Sequence, residues 1–194
     1  MKLFTIQPLE VIEILTKYNI YKPEFDKCFY LQDEDDKLAF DRPYRWILEQ
    51  YNRIKENEIS TPLVWWYTDL EEATQSFKRR DDTSLLLIRA DVDDKDVLLH
   101  DADLWETGPF MNCPLGSISC EENYEAFFKD ETHWDAMWKA YKHNIPAMEE
   151  TWKEIFVVQQ SKQERQRLHA LTPYIYKSYI KPEPKEEISQ FDEI

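Results

Sequence analysis

The sequence predicts an α+β protein with a mixed, mostly antiparallel sheet and helices packed on it. Short segments rich in β-branched and aromatic residues predict strands, and longer segments with apolar residues at i, i+3, i+4 and i+7 predict helices. These segments alternate without the regular spacing of repeated βαβ units, which disfavours a doubly wound fold. Hydrophobic residues make up 42% of the chain, including seven Trp, eleven Tyr and ten Phe, which is enough for one large core.

The chain is predicted to hold a single domain followed by an acidic tail. No Gly/Ser-rich or Pro-rich linker divides residues 1–181, which therefore form one α+β domain. Residues 182–194 contain Pro182, Pro184 and five acidic side chains but no apolar stripe, so we expect a disordered tail. Truncation after Lys181 is expected to leave the melting temperature nearly unchanged.

The first predicted element is a strand that runs into a helix. In the strand, Leu3, Thr5 and Gln7 fall on one face, while Phe4 and Ile6 fall on the other. Pro8 then stands where a first helical turn tolerates a missing donor. The helix has one buried stripe, formed by Val11, Ile14, Leu15 and Tyr18.

A second helix is predicted to begin at Asp41, which offers an acceptor at the N-cap just before Pro43. Its buried stripe consists of Tyr44, Ile47, Leu48, Tyr51 and Ile54. Trp46 lies off this stripe, where it either packs against a second element or lines a cleft. Packing is the favoured role of Trp46.

Four further strands are predicted, at residues 61–67, 85–90, 97–100 and 168–173. The continuous apolar run at 85–90 predicts a strand in the interior of the sheet, covered on both faces. The segment 121–141 and the segment 148–156 show helical spacing of aromatic residues. Their aromatic residues are interpreted as core.

The net charge limits which partners the protein can bind, and the cysteine pattern indicates its cellular compartment. A net charge of −15 argues against neutralising the phosphates of a nucleic-acid duplex. The richest basic cluster, Lys78-Arg79-Arg80, is interpreted as a solvated turn. Three cysteines without Cys-x-x-Cys spacing, and an N-terminus without a signal-peptide core, predict a cytoplasmic protein with reduced thiols. No apolar run is long enough to predict a membrane span.

Common cofactor motifs are missing. With only two glycines, the chain cannot form a phosphate-binding Gly-rich loop. His100 stands beside Asp101 and Asp103, but adjacent residues of a strand alternate faces and no second histidine is near in sequence. We therefore predict no metal site.

The order of several motifs resembles the domain-of-unknown-function family numbered 3841, found in bacteria and their phages. The segments that carry the resemblance are residues 3–11, 44–50, 65–67, 97–105 and 151–156 and the closing strand at His169. This chain has His169 where the family usually has Gln before Ala. The resemblance implies no activity, because the family has none that can be carried over.

A looser analogy at the level of the fold is to small ADP-ribosyltransferase-like proteins, which implies NAD as a cofactor. In those enzymes a residue of the first strand and a Glu of a late strand meet at the nicotinamide site. The equivalents here are Thr5 or Gln7 on the first strand and His169 on the last. A histidine can serve as acid, base or donor but supplies no fixed negative charge.

Two functional hypotheses follow. The first is an NAD-type or nucleotide-binding cleft between the first and last strands, with Gln7 and His169 as catalytic or polar contacts. Tyr44, Trp66 or Trp105 would be its stacking surfaces, and Thr5 is a further cofactor-binding candidate on the first strand. The second is a non-catalytic acidic interaction protein, such as a phage-encoded inhibitor or regulator of a host protein.

The position of two residues separates these hypotheses. The first requires Gln7 and His169 to approach each other across neighbouring strands at the floor of one cleft. If they lie on opposite faces of the sheet, the interaction-protein hypothesis is preferred.

Overall fold

A computed structural model describes residues 1–28, 31, 34–80, 82–105, 149, 152–156 and 166–181. Side chains are described for these residues except 34–40. The helical segment predicted at 121–141 and the tail predicted at 182–194 lie outside the described residues.

The described ranges contain the following helices and strands, besides short 3-10 helices. The strands are β1 (Lys2–Pro8), β2 (Ile20–Tyr21), β3 (Val64–Tyr67), β4 (Leu85–Asp91), β5 (Leu98–Asp101), β6 (Leu168–Thr172) and β7 (Ile175–Tyr176). The helices are α1 (Leu9–Tyr18), α2 (Glu34–Lys55) and α3 (Leu70–Lys78). None of these helices is long and apolar enough to cross a membrane.

Five of the strands form one sheet in the order β4-β1-β3-β6-β5, and β2 pairs with β7 in a second, two-stranded sheet. Every pairing is antiparallel. The predicted α+β class, with a mostly antiparallel sheet and packed helices, is confirmed.

The sheet buries an apolar cluster on each face. On one face α2 packs against β5 and β6 through a cluster that includes Trp46, Tyr51 and Leu171. On the other face α1 packs through Val11 and Leu15 against residues of β1, β3, β4 and β6. The predicted packing role of Trp46 is confirmed, since only 2% of this residue is exposed.

The predicted interior position of the strand at 85–90 is wrong, because β4 is an edge strand. Ile88 and Ala90 are nevertheless buried in the α1-side cluster, and α3 packs on β4 as well. Elements that cover both faces of an edge strand require the same apolar run as an interior position does. The run therefore could not distinguish the two positions.

The predicted start of the second helix is also wrong. The helix begins at Glu34, so Pro43 lies inside it, and the Asp41 carboxylate accepts from Arg45 Nε at 2.9 Å. Two residues assigned to buried stripes are exposed, Tyr18 by 58% and Ile54 by 40%. Each stands at or near the C-terminal end of its helix, where the apolar spacing continues but the helix no longer packs against the core.

Candidate functional site

The register of the sheet decides which predicted site residues share a face. Phe4 pairs with Tyr67 across β1 and β3, and Tyr67 pairs with His169 across β3 and β6. His100 pairs with His169 across β5 and β6. Paired residues of antiparallel strands project to the same side of the sheet. These side chains therefore share one side, which we call the His169 face.

Three predicted site residues lie on the opposite face. Thr5, Gln7 and Trp66 stand an odd number of residues from the row that contains His169, so they project to the α1 side. Gln7 Nε2 donates to Thr5 Oγ1 at 2.9 Å. Because β3 also separates β1 from β6, the prediction that Gln7 and His169 meet at one cleft floor is wrong.

Trp66 and Thr5 are core residues. Only 1% of each is exposed. Trp66 Nε1 donates to Thr172 Oγ1 at 2.7 Å, and Thr5 Oγ1 donates to the Trp65 carbonyl at 2.8 Å. With their polar atoms satisfied inside the protein, neither residue presents a surface on which a ligand could stack.

His169 belongs to a network of charged side chains, which we call the His169 cluster: Glu72, Asp103, Arg167 and His169. Glu72 Oε1 lies 2.9 Å from His169 Nε2 and accepts from Arg167 Nη1, also at 2.9 Å. Arg167 Nε donates to Asp103 Oδ1 at 2.7 Å. The side chains of His169 and Glu72 are 14% and 20% exposed, so the cluster borders on solvent.

Glu72 and Arg167 are the residues of this cluster that the sequence analysis missed. Asp69 caps α3 by accepting from the Glu72 backbone N–H at 2.8 Å, which fixes Glu72 in the first helical turn. The spacing of Asp69 and Glu72 is that of a capping box, so the only local signal pointed to a cap. The side chain instead reaches His169, a contact 97 residues away in sequence.

Two of the predicted stacking residues, Tyr44 and Trp105, do share the side of His169. Tyr44 packs edge-on against Trp65 and Trp105, with ring centroids 5.5 and 6.0 Å apart. Trp65 lies 5.1 Å from the His100 ring, which lies 5.9 Å from the His169 ring. A continuous series of rings thus connects Tyr44 with His169.

His100 is the most deeply buried polar side chain in this series. It is 0% exposed, and neither ring nitrogen has a hydrogen-bond partner among the residues that the structure describes. Burial, with a smaller contribution from His169, lowers the pKa of His100 to about 3. The ring is therefore neutral at physiological pH and behaves as a buried polar group without compensation.

Glu72 accepts from Arg167 and lies within hydrogen-bond distance of His169 Nε2, so the His169 cluster presents a fixed carboxylate that can accept from a donor or stabilise a positive charge. The Tyr67 and His169 rings are in edge contact at 4.8 Å. Across the part of the chain that the structure describes, no three His, Cys, Asp or Glu side chains come close enough to hold a metal ion.

A second candidate lies on and beside the β2–β7 pair, where four tyrosines form what we call the tyrosine surface: Tyr18, Tyr174, Tyr176 and Tyr179. Tyr176 contacts Tyr174 and Tyr179 edge-on, with centroids 6.3 and 5.1 Å apart. The Lys177 N–H donates to the Asn19 carbonyl at 3.0 Å, which brings the end of α1 beside this pair. Sequence analysis missed this surface because its two segments are about 150 residues apart.

Comparisons with models of known families, with curated proteins and with solved structures find no match to this chain. The resemblance to the family numbered 3841 and the analogy to ADP-ribosyltransferase-like proteins stay predictions.

Proposed function

We propose that this chain is a non-catalytic interaction protein that binds a partner protein through the tyrosine surface. The observation that carries the proposal is the presence of four tyrosines on and beside the β2–β7 pair, of which Tyr18 is largely exposed and the other three are partly exposed. Tyr18 is the most exposed of the large hydrophobic residues within the described ranges, at 58%. Tyr179 also packs against the α1-side cluster and its hydroxyl donates to Asp96 Oδ2 at 2.9 Å, so its ring is held in a fixed position beside Tyr176.

Tyrosine suits such a surface for physical reasons. Its ring supplies a large contact area while only two side-chain torsions lose freedom on binding, and tyrosines are enriched in protein interfaces. Two lysines lie over rings of this surface: Lys17 Nζ is 4.9 Å from the centroid of Tyr18, and Lys22 Nζ is 5.1 Å from that of Tyr174. The net charge of −15 favours encounters with a basic partner.

The sheet register supports this proposal over the predicted nucleotide cleft. Gln7 and His169 project from opposite faces of the sheet, so they cannot both line one cleft between the first and last strands. Trp66, the predicted stacking residue on the α1 side, is only 1% exposed and offers no surface to a ligand.

The proposal predicts that the double variant Tyr174→Ala/Tyr176→Ala loses a partner that the wild type binds. Removing two interface tyrosines at the centre of a contact is expected to weaken binding by roughly 30-fold or more. Immobilised wild-type and variant chains are incubated with bacterial extract, and the captured proteins are quantified by mass spectrometry.

Ile54→Ala is the matched control, because Ile54 is an exposed hydrophobic residue on α2. A partner retained by wild type and by Ile54→Ala, but not by the double variant, supports the proposal. If every protein captured by the wild type is captured equally by the double variant, the tyrosine surface is not the binding surface.

A second candidate function is an NAD-type ligand site at the His169 cluster, and one observation favours it. The first-strand and last-strand residues predicted from the sequence contained no carboxylate, whereas Glu72 places one 2.9 Å from His169. A fixed carboxylate stabilises a positive charge such as that of a nicotinamide ring or a developing oxocarbenium ion. Tyr67, Trp65 and Tyr44 would supply aromatic surface nearby.

This candidate predicts that His169→Ala weakens nucleotide binding by about 1–2 kcal/mol, the scale of one hydrogen bond to a partly buried group. Calorimetric titration of wild type and variant with NAD, ADP-ribose and nucleotides measures it. Gln7→Ala, on the opposite face, is the control and should bind like wild type. If the wild type binds none of these ligands, the candidate is abandoned and the interaction protein stands alone.

A further inference from the structure

The tyrosine surface is locally basic, although the chain as a whole is acidic. Residues 17–22 and 174–181, which contain all four tyrosines of this surface, include four lysines and no Asp or Glu. All four lysines are exposed, and they are Lys17, Lys22, Lys177 and Lys181. In a chain with a net charge of −15, these two segments therefore form a positive region.

Three of these lysines keep an uncompensated charge. Lys181 Nζ lies 3.9 Å from Asp91 Oδ2, at the border of the tyrosine surface. Lys17, Lys22 and Lys177 form no ion pair with any residue that the structure describes. Their ammonium groups can therefore pair with anionic groups of another molecule.

Two of the three ammonium groups lie on tyrosine rings. Lys22 Nζ is 5.1 Å from the centroid of Tyr174, and Lys17 Nζ is 4.9 Å from that of Tyr18. The ring attracts the ammonium group and keeps it near the aromatic contact area. A partner that covers these rings thus meets the positive charges in the same contact.

Tyrosine hydroxyls add hydrogen-bond donors to this region. The Tyr179 hydroxyl donates to Asp96 Oδ2 at 2.9 Å, so one ring of the surface already holds a carboxylate of the chain itself. The hydroxyls of Tyr174 and Tyr176 have no hydrogen-bond partner within the described ranges. Hydrogen bonds to a carboxylate are stronger than those between neutral groups, so these two hydroxyls favour an acidic ligand as the lysines do.

We propose that the segment of the partner protein that docks on the tyrosine surface is acidic, and that its carboxylates pair with Lys17, Lys22 and Lys177. This inference rests on the proposed function and names the chemistry of the docking segment. The net charge of the chain steers the encounter, whereas charges within one Debye length, about 8 Å, decide what binds at the contact. An acidic segment of an otherwise basic partner satisfies both conditions.

A single strand of nucleic acid is also anionic, but the tyrosine surface suits it less well. Such strands bind by stacking their bases on open aromatic faces along a positively charged groove. Here Lys17 and Lys22 lie over the rings of Tyr18 and Tyr174. An extended phosphate backbone would also reach the acidic remainder of the chain, which a short peptide segment avoids.

Fluorescence polarisation with model peptides tests the charge preference. The acidic probe is a short labelled peptide of alternating glutamate and alanine, and the neutral probe has glutamine in place of glutamate. The wild type is expected to bind the acidic probe roughly fivefold or more tightly than the neutral one at low salt, and to lose this preference as salt is added. Equal binding of the two probes, no binding of the acidic probe, or tighter binding of a labelled oligothymidylate overturns the proposal.

A matched pair of double variants locates the binding. Lys22→Gln/Lys177→Gln removes two positive charges from the tyrosine surface and should weaken binding of the acidic probe by roughly fivefold or more. Arg79→Gln/Arg80→Gln removes the same charge from the turn that leads into the start of β4, whereas the chain after β7 bridges the end of that strand. This control should bind like wild type. Equal weakening by both variants would reflect net charge alone and overturns the proposal.

The lysine variant also separates a failure of this inference from a failure of the proposed function. If a captured protein depends on Tyr174 and Tyr176 but is retained in full by Lys22→Gln/Lys177→Gln, the tyrosine surface binds a partner whose docking segment is not acidic. If Tyr174→Ala/Tyr176→Ala captures every partner of the wild type, the proposed function and this inference are both wrong.

Discussion

Replacing Trp46 with alanine is expected to lower the free energy of unfolding by about 3–5 kcal/mol, the usual cost of truncating a fully buried aromatic residue. Trp46 is 2% exposed. Its ring packs edge-on against Trp152 at 5.3 Å and stacks on Phe156 at 5.9 Å. The substitution therefore removes two ring contacts and leaves a cavity in the α2-side cluster. Urea denaturation followed by circular dichroism measures the change.

Tyr18→Ala is the control for this prediction, since Tyr18 is a large aromatic residue that is 58% exposed. Its effect on unfolding should lie within about 0.5 kcal/mol, as for most surface substitutions. A loss below about 1 kcal/mol for Trp46→Ala would contradict the assignment of this residue to the centre of the α2-side core.

The second large effect is a loss of stability in acid that depends on His100. Its pKa is lowered from 6.5 to about 3 in the folded protein by burial, so between these values the unfolded chain binds the proton and the folded chain does not. Stability must therefore fall as the pH falls through this window, by about 1.4 kcal/mol for each pH unit below 6.5. From pH 6.5 to pH 5 the contribution of His100 is about 2 kcal/mol.

His100→Leu isolates this contribution, because the carboxylates of the chain titrate equally in both proteins. The free energy of unfolding is measured from pH 8 to pH 4.5 for wild type and variant, and the difference should favour the variant increasingly in acid. At pH 8 the variant should be at least as stable, since leucine removes two buried nitrogens that have no hydrogen-bond partner within the described ranges. Parallel pH profiles would show that His100 is not neutral in the folded protein.

Several elements were predicted from local pattern alone. The spacing of Val11 and Leu15 predicted the buried side of α1, and Pro173 marked the end of β6, which stops at Thr172. These signals are local, because a helical stripe or a proline acts on its own segment whatever the rest of the chain does. The apolar spacing of α1 includes Tyr18, which is exposed, so the spacing did not predict where the buried part of the helix ends.

Strand order and sidedness could not be predicted in the same way. An edge strand covered on both faces carries the same apolar run as an interior strand, so Leu85–Ala90 suited either position. Gln7 and His169 were both predicted on strands. Only the strand order shows that β3 separates them, and only the register shows that their side chains project from opposite faces. Neither the strand order nor the relative direction of these side chains is determined by residues near them in the sequence.

The sequence by itself determined the α+β class, the course of β1 into α1, and the packing role of Trp46. Only the tertiary structure decided that Glu72 meets His169 and Arg167, and that Asn19 at the end of α1 is hydrogen-bonded to Lys177 after β7. Helical and strand periodicity arise within one segment, whereas these contacts join segments about 100 residues apart or more. Such contacts follow from which strands pair and in which register, and the summed burial of the whole sheet selects that pairing.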